Sequence, residues 1–219
     1  MQRGPLQEMH LQTLREYHLG PREAAQAVCL RYDAGETIIR EGAQLDCFYV
    51  VQRGRAKVCA ESRDGKALIL CYYIAEGVMG DIELMNGMLT AATGVVAVTD
   101  VECIALPYPG CAAALKGNPA FVKRLAEDLS AKLLHSSRSR CAAALCSAEE
   151  RLCAYLLLAS DRGMFREPLT DLAGSIGVSY RHMMRMMTSL CREGLLGREQ
   201  SGYRLLDPAA LRARAAEFE

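Results

Sequence analysis

The chain has 219 residues, 51% hydrophobic and 24% charged, with 26 Lys+Arg balanced by 26 Asp+Glu. That suits one large or two small packed domains of an ordinary globular protein. The first ten residues, MQRGPLQEMH, lack the apolar core of a signal peptide, and the longest apolar run, ALILCYYIA (67–75), is about half a membrane span. Export and membrane insertion are therefore not expected, and the cytoplasm is the expected compartment.

Residues 6–19, LQEMHLQTLREYHL, predict a short helix that Gly20-Pro21 stops. From Ala27 to Leu106 short β-rich runs follow one another (AVCLRY, TIIREG, CFYVVQRG, RAKVCAES, ALILCYYI, GVVAVT, VECIAL). Glycines at 35, 42, 54, 65 and 77 break them, a spacing that predicts an all-β sandwich or roll. Asp64-Gly65 predicts a hairpin, because both residues tolerate the positive φ of a type I′ turn. Within this region, GVMGDIELMNGMLTAATG (77–94) sets a Gly-Asp pair and a short polar-apolar segment before a tract of small residues, as a chain wrapping a ligand would.

After Pro107–Pro109 the period turns helical. Val122, Leu125, Leu129 and Leu133 form one stripe, spaced 3, 4 and 4, on which a long helix is expected to pair with a twin in a homodimer. Ser147-Ala-Glu-Glu150 predicts a capping box that opens a new helix. The expected division is a helical segment (1–26), a β-roll sensor (27–108), a dimerisation helix with its hinge (109–146) and a DNA-binding domain (147–219). The zero net charge conceals a mild asymmetry along the chain. Residues 1–137 carry 14 Lys+Arg against 16 Asp+Glu, and residues 138–219 carry 12 against 10, the basic ones all arginine. The sign in the second part suits a nucleic-acid partner.

The segment PLTDLAGSIGVSYRHMMRMMTSLCREGLLGREQSGYRLLD (168–207) predicts two helices across a Gly-containing turn. Thr170 is expected to cap the first, Asp171–Ile176, and Ser179 the second, which ends before Gly194. Met183, Met186, Met187 and Leu190 recur at core spacing. Tyr180, Arg181, Met184, Arg185 and Thr188 fall on the opposite face. A major groove admits one helix, and arginine grips guanine O6 and N7 with two hydrogen bonds, so Arg181 and Arg185 are the base-reading candidates. Ser179 and Tyr180 suit phosphates as well as bases. REQSGYRLL (198–206) predicts a two-stranded wing around Ser201-Gly202, with Arg198 and Arg204 near the DNA backbone.

The chain resembles the CRP/FNR family of bacterial transcription regulators over about residues 27–207. The match runs through YDAGETIIREGAQLDCFYVVQRGRAKV, DGKALILCYYIAEGVMGDIELM and LAGSIGVSYRHMMRMMTSLCREGLL, and GDIELM with GVSYRHMM resembles the YeiL-type branch. The resemblance implies an α+β fold: an antiparallel double-stranded β-helix like the cyclic-nucleotide-binding jelly roll, a long dimerisation helix and a C-terminal winged helix-turn-helix. It implies double-stranded DNA as a partner, RNA polymerase as a further one and no catalytic activity. It also implies an effector pocket at Gly80, Asp81, Ile82, Glu83, Ala91 and Ala92. Cyclic-AMP-binding members carry Gly-Glu there and an Arg-Ser pair about ten residues later. Here Gly80-Asp81 stands at the first position and Ala91-Ala92 at the second, with no cation from Val78 to Gly94. Buried phosphate without a cation would face two carboxylates, so cyclic AMP is not expected and the effector is left unnamed.

Ten cysteines form neither a CxxC pair nor a zinc spacing and are expected to be buried hydrophobes. The N-terminal cysteine cluster of iron–sulfur relatives is absent, since the first cysteine is Cys29, and a break at Ser147 is expected to part Cys146 from Cys153. Histidines stand only at 10, 18, 135 and 182, and residues 19–134 contain none, which excludes a histidine-lined metalloenzyme roll. No metal or cofactor is expected. The rival reading is a thiol-based redox or small-molecule sensor whose helix-turn-helix serves protein contacts.

Overall fold

The computed structural model describes residues 1–61, 67–74, 77–160 and 162–215. The chain forms two compact units, Met1–Leu134 and His135–Glu219.

The first unit opens with β1 (Gln2–Gly4), α1 (Glu8–Glu16), α2 (Pro21–Ala24), β2 (Val28–Tyr32), β3 (Thr37–Ile39), β4 (Cys47–Arg53), β5 (Arg55–Glu61) and β6 (Ala67–Ile74). It continues with β7 (Val78–Met79), α3 (Asp81–Asn86), β8 (Gly94–Ala97), β9 (Val101–Pro107), α4 (Tyr108–Lys116) and α5 (Pro119–Leu145), a 27-residue helix that runs on into the second unit. Among the described residues the strands make two antiparallel sheets, ordered β1-β2-β9-β4-β7 and β3-β8-β5-β6. This is the expected roll. The expected turn at Asp64-Gly65 lies outside the described residues; β5 and β6 on either side of it are antiparallel neighbours, with Glu61 opposite Ala67.

The central strands β4 and β9 are apolar along nearly their whole length rather than alternating, because both of their faces are covered. Phe48, Val50, Ile104, Ala105 and Leu106 show no solvent exposure. Phe121 of α5 meets Phe48 edge-on, with ring centroids 5.7 Å apart and planes at 73°.

That packing seats part of the α5 stripe in the protomer's own core. Leu125 is wholly buried in its own roll, and Val122 and Leu129 are half-buried against the same core. Val122 and Leu129 keep part of their surface open, and Leu133 is 69% exposed beside Leu134 at 53%. Helical spacing identified an apolar face, but it did not say that the roll itself would cover most of it.

The N-terminal segment is also not purely helical. Gln2–Gly4 pair with Cys29–Arg31 as an edge strand, and α1 begins only at Glu8, where the Gln7 N–H donates to His10 Nδ1 at 2.8 Å.

The second unit contains α6 (Ala148–Ala159), β10 (Met164–Phe165), α7 (Leu169–Ser175), α8 (Tyr180–Arg192), β11 (Leu196–Glu199), β12 (Gly202–Leu205) and α9 (Pro208–Arg214). Ser147 caps α6 as expected: its Oγ accepts the Glu150 N–H at 3.2 Å and its own N–H donates to Glu150 Oε2 at 2.6 Å. Thr170 does not cap α7. The helix starts two residues earlier than expected, at Leu169 behind Pro168, whose fixed φ of −57° suits the entry to a helix. Leu152, Leu156, Phe165, Leu172, Met183, Met187, Leu190, Leu196 and Leu211 form this unit's core.

Candidate nucleic-acid interface and sensor cassette

The second helix of the pair, α8, has the two faces that its spacing predicts. Met183, Met187 and Leu190 are buried, with Met186 half-buried beside them. Tyr180, Arg181, Arg185 and Thr188 are exposed, and with Met184, Ser189 and Arg192 they line one concave surface. Ser189 and Arg192 are additions to the sequence-derived set, although the same spacing rule reaches them one turn further along. Met184 belongs partly to the other face: it is half-buried and packs against the core while lining the concavity.

The polar groups on this face differ in what they still offer. Ser179 Oγ accepts the His182 N–H at 3.3 Å, and as an acceptor it keeps its own O–H to donate to a phosphate. Thr188 Oγ1 donates to the Met184 carbonyl at 2.8 Å, so its proton is spent on its own helix.

The wing is β11 and β12, with Arg198 opposite Tyr203 and Gly197 opposite Arg204. Gly202 turns it at φ +144°, and a Cβ there would lie 2.1 Å from the Phe165 carbonyl oxygen, so no other residue fits where β10 passes. Arg198 and Arg204 are both exposed, but Arg204 is hydrogen-bonded through Nε to Glu199, whose carboxyl it holds below the usual range. Arg204 thus brings less unpaired charge to a phosphate than its position in the sequence implied.

In the first unit, Gly80 caps α3 at φ +89° and turns the chain from β7 into the cassette. Of the six predicted cassette residues, Asp81, Glu83 and Ala91 are buried, while Ile82 is 45% exposed and Ala92 exposed. The Asp81 carboxylate receives the Lys132 ammonium of α5, Nζ to Oδ2, at 2.6 Å, and Lys132 also donates to the Val78 carbonyl at 2.8 Å. Glu83 Oε1 accepts the Ala92 N–H at 2.8 Å, and Tyr108 Oη donates to the carbonyls of Glu83 and Met88 at 3.0 and 2.8 Å. Ala91 and its neighbours pair with the loop at 42–45 through Gly42 N–H to Ala91 O and Ala91 N–H to Ala43 O. The stretch 78–94 does lack a cation, as read from the sequence, yet one reaches Asp81 from 51 residues away. No local signal could have found Lys132.

Among the described residues one group of metal-ligand types converges: His10, Cys29 and Glu102, with donor atoms within 4.8 Å of one another. Its hydrogen bonds set it against a metal. Gln7 N–H points at His10 Nδ1, so the imidazole proton sits on Nε2 and is donated to Glu102 Oε1 at 2.8 Å. A metal on Nε2 would need that proton on Nδ1, against another donor. Arg31 Nε takes the other carboxylate oxygen at 2.5 Å. The cysteines Cys29, Cys59, Cys103, Cys111 and Cys153 are buried, Cys47, Cys146 and Cys191 half-buried and Cys141 exposed. Cys146 and Cys153 lie on either side of the Ser147 break, not on one helix. The side chains of Cys71 and His135 lie outside the described residues.

A β-roll with a cassette, a long helix and a winged helix-turn-helix are the architecture of a transcription regulator. Residues 29–118 match the cyclic nucleotide-binding domain family and residues 150–214 the Crp-like helix-turn-helix domain family. Together the two matches support a transcription regulator of the CRP/FNR type. It is 27% identical over 186 residues to regulatory protein YeiL of Escherichia coli O157:H7, covering 85% of this chain and 84% of that protein. It is 26% identical over 214 residues to the nitrogen fixation regulation protein FixK of Bradyrhizobium diazoefficiens, covering 93% and 86%. The crystal structure of a CRP-family transcriptional regulator from Thermus thermophilus, TTHB099, shares the fold with a TM-score of 0.74 at 19% identity, over 85% of this chain and 96% of that one. No helix among the described residues is long and apolar enough to cross a membrane.

Proposed function

We propose that the protein is a homodimeric, sequence-specific DNA-binding regulator that reads a pseudo-palindromic operator, and that its roll does not take cyclic AMP. The observation that carries this reading is α8, which seats Met183, Met187 and Leu190 in the core while holding Tyr180, Arg181 and Arg185 out along one face. An exposed helix face with two arginines is the part of such a fold that enters a major groove. Leu133 and Leu134 at the open side of α5 are the contacts assigned to the partner protomer, and in such a dimer two copies of α8 meet one side of the duplex about 34 Å apart. Against cyclic AMP stand the pairing of Asp81 with Lys132 and of Glu83 with the Ala92 N–H: an entering phosphate meets two buried carboxylates whose donors are already engaged. RNA polymerase and an unnamed small molecule are the further partners, and the cytoplasm the compartment, that the family resemblance implies.

The test is selection of duplexes from a random pool by the purified protein, followed by titration of the winner. Two inverted half-sites about one helical turn apart are expected. Affinity should fall steeply between about 50 and about 200 mM salt, as arginines release counterions from phosphate. Cyclic AMP at about 1 mM should leave the melting temperature unchanged, since any ligand of the folded state must raise it. Salt-insensitive association with no preferred sequence would instead favour a helix pair that docks on protein.

A further inference from the structure

Asp81 and Glu83 are buried acids two residues apart on α3, and each is answered by a donor from this chain. The two donors differ in kind. Ala92 offers a backbone amide nearby, whereas the Lys132 ammonium arrives on a different element, bridging Asp81 and the carbonyl of Val78 at the end of β7. The Asp81 side chain is 3% exposed and that of Lys132 22%, so water screens the pair little. A buried carboxylate that loses its partner keeps its desolvation cost and loses its compensation, so each charge makes the other tolerable in place.

We propose that Lys132 is the resident counterion of the cassette, an intramolecular tether that holds α5 on α3 and β7 in the state competent for DNA without a soluble effector. This deepens the reading above and rests on it. A tethered amine acts at an effective concentration in the millimolar range or above. A soluble molecule that takes the Asp81 carboxylate must therefore be a cation that is abundant or makes further contacts beside it, and an anion has no purchase there. Displacing Lys132 would free α5 from the cassette, which makes the pair the point where the sensor unit can be switched.

The experiment is a double-mutant cycle in the full-length protein with Lys132→Met, Asp81→Asn and the pair combined, reading both melting temperature and operator affinity. Lys132→Met is expected to lower the melting temperature most, because it strands a buried carboxylate. The double variant should recover most of that loss, giving a clear interaction between the sites. Operator affinity should fall about fivefold or more in both single variants. It should stay low in the double variant, which regains stability but not the tether. Lys132→Arg keeps the charge and should keep most of both properties; it also completes the comparison with Asp81→Asn if Lys132→Met does not fold. Strictly additive melting shifts would overturn the pairing itself. Coupled melting shifts with four equal operator affinities would overturn the tether and leave a purely structural ion pair. If the parent binds no operator, the DNA-binding reading fails, and the melting cycle alone then decides the pair.

Discussion

The carboxylate of Glu83 accepts the backbone N–H of Ala92 at 2.8 Å, joining the start of the cassette to its far limb from a residue only 6% exposed. Removing that acceptor breaks a hydrogen bond from the exposed Ala92 backbone to a buried charged group. Glu83→Ala is expected to destabilise the protein by about 1–3 kcal/mol, read from chemical denaturation midpoints. Glu83→Gln, which keeps a carbonyl oxygen in the same place, should cost distinctly less. Equal losses for the two would remove the hydrogen bond from the explanation.

The arginines of the DNA-binding unit should separate in kind. Arg185→Ala is expected to cost about 1–3 kcal/mol per half-site and to relax the base preference there. Arg204→Ala, whose guanidinium already answers Glu199, should weaken binding to all sequences slightly and alike. Affinities measured on the selected operator and on a single-base variant decide between the two patterns.

Gly202→Ala should unseat the wing. The added Cβ would sit 2.1 Å from the Phe165 carbonyl oxygen, and φ +144° already strains any L side chain. A loss of at least about 2 kcal/mol is expected. Full retention of stability would show that β10 can retreat.

Thiol reactivity should follow burial. Burial pushes the Cys153 thiol up to about 11 and raises Cys29, Cys103 and Cys111 as well. Since the thiolate is the reactive form, these four should label only after unfolding. Exposed Cys141 should label first in the native protein. Rapid native labelling of Cys153 would revive the thiol-sensor reading.

Glu102 should make the roll sensitive to acid. Burial alone raises its carboxyl, but hydrogen bonds from His10 and Arg31 outweigh burial and hold it below its ordinary 4.5. A depressed folded-state value means that the stabilisation is complete above the unfolded-state value and is lost as pH falls through the folded one. Stability should therefore drop between about pH 5 and about pH 2, and drop less in Glu102→Gln. Denaturation midpoints across that range provide the measurement.

The parts of the molecule that could be read from sequence are those whose causes are local. Ser179 caps α8 three residues away, and Met183, Met187 and Leu190 sort by helical period, so both the helix and its outward arginines were legible. Glycine punctuation gave the roll for the same reason. What escaped depends on distant partners. Leu125 reads as an interface residue until Phe48 and the rest of the roll are seen to enclose that face. Gln2–Gly4 has no strand signal of its own and is a strand only because Cys29–Arg31 offers an edge. Lys132 reaches Asp81 through the closure of the fold, and nothing in the run from 78 to 94 refers to it.

The division of labour within α8 also bears on how such a regulator changes over generations. Its seat is made by Met183, Met187 and Leu190, and its proposed reading face by Tyr180, Arg181 and Arg185, with no residue among these six on both faces. On the proposed reading, a substitution in the second set would alter which operator is recognised and leave the core untouched, because exposed positions away from caps and cavities change stability by only about 0.5 kcal/mol. New target genes can thus be acquired one base contact at a time, while the scaffold that presents the helix is inherited intact.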